Sequence, residues 1–253
     1  AIYYAVKANS DAAVIRFLTE LGLGLEVGSE GSLRLLLELD VPPSRIISGN
    51  PLKSPAFIEL AHSSGVRILT VDSIAEIDKL ARLAPGCEVY VRISVPNNHS
   101  QWPLDKKFGV GPTKAVDLLI QAQEQGLLPI GITFHVGSQC TNPVAWTRAL
   151  ELAAETWQTV TGRGLEMSSL NLEGGFPVEY IEPVPSILDV AYAVEDAIQQ
   201  YFPSGVEILL EPGRGLVAEA GVLVTTVIAK ADRGCQNWLY LDVGVFNGLM
   251  ESI

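Results

Sequence analysis

The stretch Ile2-Tyr3-Tyr4-Ala5-Val6-Lys7-Ala8-Asn9-Ser10 predicts a short apolar strand that ends at a charged residue. The strand portion is rich in β-branched and aromatic side chains, and small or polar residues follow Lys7. We expect a lysine at this position to be partly desolvated. Desolvation lowers the pKa of an ammonium group and makes the amine a nucleophile that can form a Schiff base. The alternative is a lysine whose charged head extends into water at the strand end.

Further apolar runs follow, separated by amphipathic stretches with apolar residues at helical spacing. The eight predicted strands are residues 2–6, 24–27, 46–49, 67–72, 88–94, 131–137, 169–175 and 206–212. The predicted helices are residues 11–21, 31–39, 54–63, 74–83, 112–125, 143–163 and 185–202. This alternation predicts an α/β fold, a parallel (β/α)8 TIM barrel, over the competing doubly wound sheet.

The pattern changes near residue 217. Residues 221–231 form a long β-branched run, and residues 237–245 are another candidate strand, with no helix between them. We therefore expect residues 1–216 to form the barrel and residues 217–253 to begin a β-rich second domain. Both ends of the chain look cut, so we expect a fragment or a processed form. The polar segment 97–107 is expected to be a surface loop over the barrel mouth.

Composition argues against several classes of function. The 253 residues carry a formal net charge of −12, which disfavours non-specific binding to nucleic acid or anionic lipid. The three cysteines lie far apart and form no CxxC pair, so a reducing, cytoplasmic location is the default. No apolar run reaches the length of about 18 residues that spans a membrane. No metal site is predicted.

In a parallel barrel, functional groups lie at the carboxyl ends of the strands. The residues selected by that rule are Lys7, Arg92, His135, Ser138, Gly174, Gly175, Glu211, Gly213 and Arg214. The glycines 174 and 175, and the pair Gly213-Arg214, follow the last two strands, where such barrels commonly bind phosphate. Backbone N–H groups and a guanidinium fork are suitable donors to phosphate oxygens.

Together these groups favour one ligand, pyridoxal 5'-phosphate (PLP). Lys7 suits its aldehyde, the glycine-rich turns suit its phosphate, His135 suits the flat ring, and Glu211 suits the pyridine nitrogen. Taken singly, two of these residues have structural explanations. Glu211 lies three residues before Arg214 and could form a salt bridge with it, and His135 could be a hydrogen-bonded core histidine.

The sequence resembles the fold type III PLP-dependent decarboxylases, the group of ornithine, lysine and diaminopimelate decarboxylases. The matching segments are Tyr4-Ala5-Val6-Lys7-Ala8-Asn9, residues 46–51, Thr70-Val71-Asp72-Ser73, Lys107-Phe108-Gly109, Phe134-His135-Val136-Gly137-Ser138, Gly174-Gly175-Phe176-Pro177 and Glu211-Pro212-Gly213-Arg214. They run in the family order across the barrel. The resemblance implies an alanine racemase-like PLP barrel.

The resemblance also implies a role for each residue. Lys7 would carry the cofactor as an internal aldimine, Glu211 would keep the ring nitrogen protonated, His135 would stack on the ring, and Arg92 would lie near it. The implied phosphate ligands are Ser138, Gly175 and Arg214. The implied reaction is decarboxylation of a diamino acid such as ornithine or lysine, through an external aldimine and a quinonoid carbanion. The implied assembly is a homodimer with its active sites between the subunits.

Some positions depart from the family pattern. Position 32 is serine where the family usually has glutamate. Glu173 replaces the first glycine of a Gly-Gly-Gly-Phe-Pro run, which places an anion beside the expected phosphate site. Val243 stands near the position of a substrate-binding aspartate in ornithine decarboxylases, so Asp242 is the candidate for that role.

Other functions remain open: a diaminopimelate-type decarboxylase, an amino acid racemase, an inactive binding homologue like the antizyme inhibitors, and a Schiff-base aldolase without PLP. Glu211 argues against the racemase, because alanine racemases have arginine at the ring nitrogen. Joint retention of Lys7, His135, Glu211 and Arg214 argues against the inactive homologue. An aldolase would not need Glu211 and a phosphate site together.

Overall fold

The computed structural model describes residues 1–249 and divides the chain into two compact units. The first unit is Ala1–Val217, and the second begins at Ala218. The last four residues of the predicted second domain, 250–253, lie outside the described residues. Within the described part of the chain, no helix is both long enough and apolar enough to cross a membrane.

The first unit alternates strands and helices as predicted. The strands of the chain are β1 (Tyr3–Ala5), β2 (Gly24–Glu26), β3 (Ile46–Ser48), β4 (Ile68–Val71), β5 (Glu88–Ile93), β6 (Ser100–Trp102), β7 (Leu128–Phe134), β8 (Ser138–Cys140), β9 (Ser169–Asn171), β10 (Glu207–Leu209), β11 (Val227–Asp232) and β12 (Asn237–Leu241). The α-helices are α1 (Ala12–Glu20), α2 (Glu30–Glu38), α3 (Pro55–Ser64), α4 (Ile74–Leu83), α5 (Pro112–Glu124), α6 (Val144–Thr161), α7 (Ile187–Tyr201) and α8 (Arg214–Val217).

Eight of these strands form one sheet in the order β1-β2-β3-β4-β5-β7-β9-β10, and every neighbouring pair is parallel. Backbone hydrogen bonds from Tyr3 N to Leu210 O (2.8 Å) and from Ala5 N to Pro212 O (3.0 Å) join the last strand to the first. The predicted (β/α)8 barrel is therefore confirmed, because the sheet closes on itself with its helices following the strands.

Alternation along the strands decides which side chains face the barrel interior. Val89 and Val91 belong to the main apolar core, whereas Tyr90 between them belongs to a separate small cluster with Ile47 and Leu209. Successive side chains of a strand point to opposite faces, so Tyr90 lies on the inner face. The same parity turns Arg92 inward, two residues further along β5.

Local signals set the helix boundaries. Ser54 and Ser73 accept hydrogen bonds from the first-turn amides of α3 and α4, and Gly65 ends α3 with a φ of 98°. The sequence predicts these residues as helix starts and a stop, because short polar side chains satisfy free N–H groups and glycine tolerates positive φ.

Two predictions about the connecting and C-terminal segments need correction. The segment 97–107 is not wholly loop, because Ser100–Trp102 pairs antiparallel with Ser138–Cys140. The β-branched run expected to be a strand over residues 221–231 becomes strand only at β11, which pairs antiparallel with β12. This hairpin in the second unit confirms the expected start of a β-rich domain.

Candidate active site

Several predicted site residues meet at the carboxyl end of the barrel. Lys7 lies in a one-turn 3-10 helix, Val6–Ala8, directly after β1. Its Nζ atom lies 3.7 Å from Oε2 of Glu26, the last residue of β2. The Lys7 side chain is 73% exposed, whereas that of Glu26 is 1% exposed. The buried carboxylate therefore lies beside an amine that solvent can reach.

The predicted depression of the Lys7 pKa is wrong. The Glu26 carboxylate raises the pKa of Lys7, and this effect exceeds the lowering by desolvation; Glu211 and Glu173 add to the rise. The expectation considered only burial at a strand end. Charges contributed by other strands decide the sign.

Glu26 is a site residue that the sequence analysis missed. It is buried, and its Oε1 accepts a hydrogen bond of 3.3 Å from Gly49 N at the end of β3. The signal was present, because Glu26 is the last residue but one of the predicted strand 24–27, near the strand end that the rule for Lys7 and Glu211 selects.

Glu211 follows β10 and is buried, with 5% of its surface exposed. Its Oε1 accepts a hydrogen bond of 2.6 Å from Asn171 Nδ2 at the end of β9. Burial raises the pKa of this carboxyl well above its ordinary value, and the neighbouring Glu26 and Glu173 reinforce the rise. A Cβ atom at Gly49 would lie 2.4 Å from Glu211 Oε2, so a larger residue there would displace this carboxyl.

Arg92 and Glu173 form a buried ion pair across the barrel interior. Nη1 of Arg92 lies 3.2 Å from Oε2 of Glu173, and the side chains are 8% and 4% exposed. Glu173 Oε1 also accepts a hydrogen bond of 3.0 Å from Thr133 Oγ1 on β7. The expectation that Glu173 places its charge at the phosphate site needs correction, because the carboxylate points at Arg92.

His135 follows β7 and is neutral. Burial, then the charges of Arg92 and Lys7, lower the pKa of its imidazole well below its ordinary value. Nδ1 accepts a hydrogen bond of 2.8 Å from Gly137 N, which assigns the remaining ring proton to Nε2. A neutral, partly exposed imidazole is suited to stacking on a flat ring.

The predicted anion site is formed around Arg214. Its Nη2 donates to Ser138 Oγ at 3.1 Å and its Nη1 donates to the Tyr180 hydroxyl at 2.8 Å. The guanidinium also lies 5.2 Å from the ring centre of Trp102 and 5.9 Å from that of Tyr180. Trp102 and Tyr180 lie outside the barrel strands; the sequence placed the segment of Trp102 over the barrel mouth but named neither residue as a site residue.

Ser32 and Asp242, at or beside positions that depart from the family pattern, both take part in local hydrogen bonds. The Ser32 backbone amide donates to Ser29 Oγ (3.2 Å) at the start of α2, so Ser32 belongs to a helix cap. Asp242 lies in the second unit, where its Oδ1 accepts hydrogen bonds from Thr225 Oγ1 (2.6 Å) and Thr226 N (2.9 Å). Its predicted contact with substrate stays a prediction.

The residues present fit a phosphorylated pyridine aldehyde. Gly175 has a φ of 100°, and a Cβ atom there would lie 2.5 Å from Gly137 O, so only glycine admits this close turn. Among the residues that the structure describes, the amides of Gly174 and Gly175 donate to no protein acceptor. Free N–H groups near an arginine fork and a serine hydroxyl are the donor set that a phosphate group accepts from.

Comparison with known proteins gives a consistent result. Residues 1–218 match the family described as pyridoxal-dependent decarboxylase, pyridoxal binding domain. The chain is 37% identical over 253 residues to the lysine/ornithine decarboxylase of Selenomonas ruminantium, covering 98% of this chain and 64% of that protein. It is 35% identical over 232 residues to antizyme inhibitor 2 of Xenopus laevis, covering 91% and 51%.

A solved structure agrees with these matches. The crystal structure of an SrLDC mutant in complex with PLP superposes with a TM-score of 0.92 at 36% identity, covering 100% of this chain and 66% of that one. The chain thus spans between half and two thirds of the length of these relatives.

Proposed function

From the membership of this chain in the pyridoxal-dependent decarboxylase family, whose cofactor is PLP, we propose that the full protein decarboxylates a basic amino acid such as ornithine or lysine. The observation that carries the proposal is the convergence of Lys7, Glu211 and the Arg214 anion site at one end of the barrel. These groups match the aldehyde, ring nitrogen and phosphate of one cofactor.

In this proposal, separate residues of the chain contact the phosphate, the ring and the ring nitrogen of PLP. Arg214, Ser138 and the amides of Gly174 and Gly175 hold the phosphate, and neutral His135 packs on the ring. Glu211 holds a proton at the ring nitrogen through its carboxyl. PLP, when bound, supplies the electron sink that decarboxylation requires.

Glu26 contacts the amine of Lys7 and favours its charged form. Because Glu26 raises the pKa of Lys7, the amine rests as an ammonium and must lose a proton before it can act as a nucleophile. The Glu26 carboxylate oxygen Oε2 lies 3.7 Å from Nζ of Lys7. We therefore propose that Glu26 orients Lys7.

Borohydride reduction of the full protein with PLP, followed by peptide mass mapping, tests this proposal. We expect a phosphopyridoxyl group on Lys7, and none on the Lys7→Ala variant, which should also lack the visible absorption band. A label on another lysine would contradict the assignment. A panel of amino acids assayed for CO2 release would then define the substrate.

The relatives include an antizyme inhibitor, so the assay must also separate an enzyme from a binding homologue. A labelled Lys7 together with CO2 release from a diamino acid supports the enzyme. PLP-free protein that releases no CO2 would favour the binding homologue. The joint presence of Lys7, His135, Glu211 and Arg214 favours the enzyme.

The remaining expectations stay predictions for the full protein. They are a homodimer with shared active sites, a substrate contact by Asp242, a domain boundary near residue 217 and a cytoplasmic location. Light scattering of the purified full protein, with and without PLP, would test the dimer.

A further inference from the structure

Glu173 has a backbone conformation that is unfavourable for residues other than glycine. Its φ is 50°, in the left-handed region that glycine adopts readily and other residues rarely adopt. Both backbone groups are held there, because Asn171 Oδ1 accepts from Glu173 N at 2.9 Å and Glu173 O accepts from Glu211 N at 2.6 Å. A glutamate at such a position suggests that its side chain contributes something that offsets the strain.

The side chain of Glu173 forms an ion pair with Arg92. Nη1 of Arg92 lies 3.2 Å from Oε2 of Glu173, and both side chains are buried. The ring centre of Phe108 lies 5.2 Å from Cζ of the Arg92 guanidinium. Arginine cannot lose its charge in a protein, so a buried guanidinium needs a fixed counter-charge. Burial raises the pKa of the Glu173 carboxyl, and Arg92 opposes that rise.

The pair lies within a cluster of charged and titratable groups from separate strands. The groups that act on one another there are Lys7, Glu26, Arg92, His135, Glu173 and Glu211. Arg92 disfavours a positive charge on both Lys7 and His135, whereas Glu173 favours the positive charge on Lys7. Removing Glu173 would therefore leave the positive charge of Arg92 uncompensated beside Lys7.

We propose that Glu173 is a positioning residue, whose carboxylate fixes the Arg92 guanidinium at the end of β5 and balances its charge beside Lys7. This inference rests on the proposed PLP site for its consequence at Lys7. The fixing of Arg92 is a property of the chain alone and can be tested separately.

The first experiment compares the thermal unfolding of the cofactor-free full protein with that of Glu173→Gly. If the glutamate were incidental, glycine would relieve the strained backbone and the midpoint would rise. We expect the midpoint to fall, because Arg92 loses its counter-charge. A rise, or no change, would overturn the proposal. If Glu173→Gly does not fold, the double variant Arg92→Met/Glu173→Gly decides, since we expect it to fold and to unfold above the single variant. A double variant that is no more stable than the single one would also count against the pairing.

The second experiment follows the visible absorption of the PLP-loaded protein as a function of pH. Glu173→Gln keeps the shape of the side chain and removes its charge. We expect the pH midpoint of the band to move lower, on the order of one pH unit, because a positive charge at Lys7 loses support. Glu155→Gln, on the exposed side of α6, is the matched control and should match the wild type.

The outcomes separate the two proposals. A wild-type protein that shows no band with PLP contradicts the proposed function and leaves the unfolding comparison as the test of Glu173. A wild-type band with an unchanged midpoint in Glu173→Gln contradicts only the charge-balancing role of Glu173.

Discussion

Replacing Glu211 with glutamine should stabilise the cofactor-free protein while it removes activity. Glutamine has nearly the same shape, its Oε1 can still accept from Asn171, and it cannot ionise. In the wild type, burial raises the pKa of Glu211 well above its ordinary value. The folded chain therefore binds a proton over a pH range in which the unfolded chain has already released it.

The sign of the effect follows from this difference. The stability associated with protonated Glu211 is fully present below the unfolded pKa and is lost as pH rises through the folded pKa. Each unit of difference corresponds to about 1.4 kcal/mol. For a protein of this size, that is about 3–5 °C in the unfolding midpoint per unit. Glu211→Gln avoids the loss.

Differential scanning fluorimetry of both cofactor-free proteins at several pH values tests this prediction. The midpoint of Glu211→Gln relative to wild type should increase from pH 5 to pH 8. With PLP bound, turnover should fall by about two orders of magnitude or more, because a neutral amide cannot hold the ring nitrogen positive. A stability difference that does not change with pH would refute the raised pKa, and wild-type turnover would refute the role of Glu211 in catalysis.

Arg214→Lys keeps the charge but loses the fork that reaches Ser138 and Tyr180, so PLP should bind about tenfold or more weakly in equilibrium dialysis, with the position of the visible band unchanged. Equal affinity would remove Arg214 from the anion site. Lys53, buried with its Nζ 3.2 Å from Glu76 Oε1, has its pKa lowered to about 8 by burial. Lys53→Met removes this ammonium, and Glu76 keeps Lys79, whose Nζ lies 2.7 Å from Glu76 Oε2, so urea titrations of the two proteins at several pH values measure the effect of Lys53 ionisation. The wild type should gain stability between about pH 8 and pH 10.5, where the unfolded chain binds more protons, and the variant should lack that gain.

The barrel was predictable because its signals are local. Period-two and period-3.6 patterns, serine caps and glycine stops lie within a few neighbouring residues, and the bounds of α4 agree with the predicted range of 74–83. Exceptions arose where distant segments pair. The strand Ser100–Trp102 owes its conformation to Ser138–Cys140, which no local pattern links to it.

The candidate site also contains residues that a local sequence rule identifies and residues that depend on contacts between distant segments. The rule that barrels carry function at strand ends selects Lys7, His135, Glu211 and Arg214 from the sequence, and Glu26 satisfies the same rule. Their roles stay predictions. Trp102 and Tyr180 were not found, because their contact with Arg214 depends on how loops after different strands approach each other.

The sequence by itself determined the α/β barrel, the strand ends that carry its polar residues and the resemblance to a PLP family. Only the tertiary structure decided the electrostatics: the raised pKa of Lys7 beside Glu26, and the direction of Glu173 toward Arg92. The physical reason is that the two kinds of signal act between different sets of neighbours. Hydrophobic periodicity is written along the chain, whereas a pKa depends on burial and on charges a few ångströms away in space, which separate strands contribute.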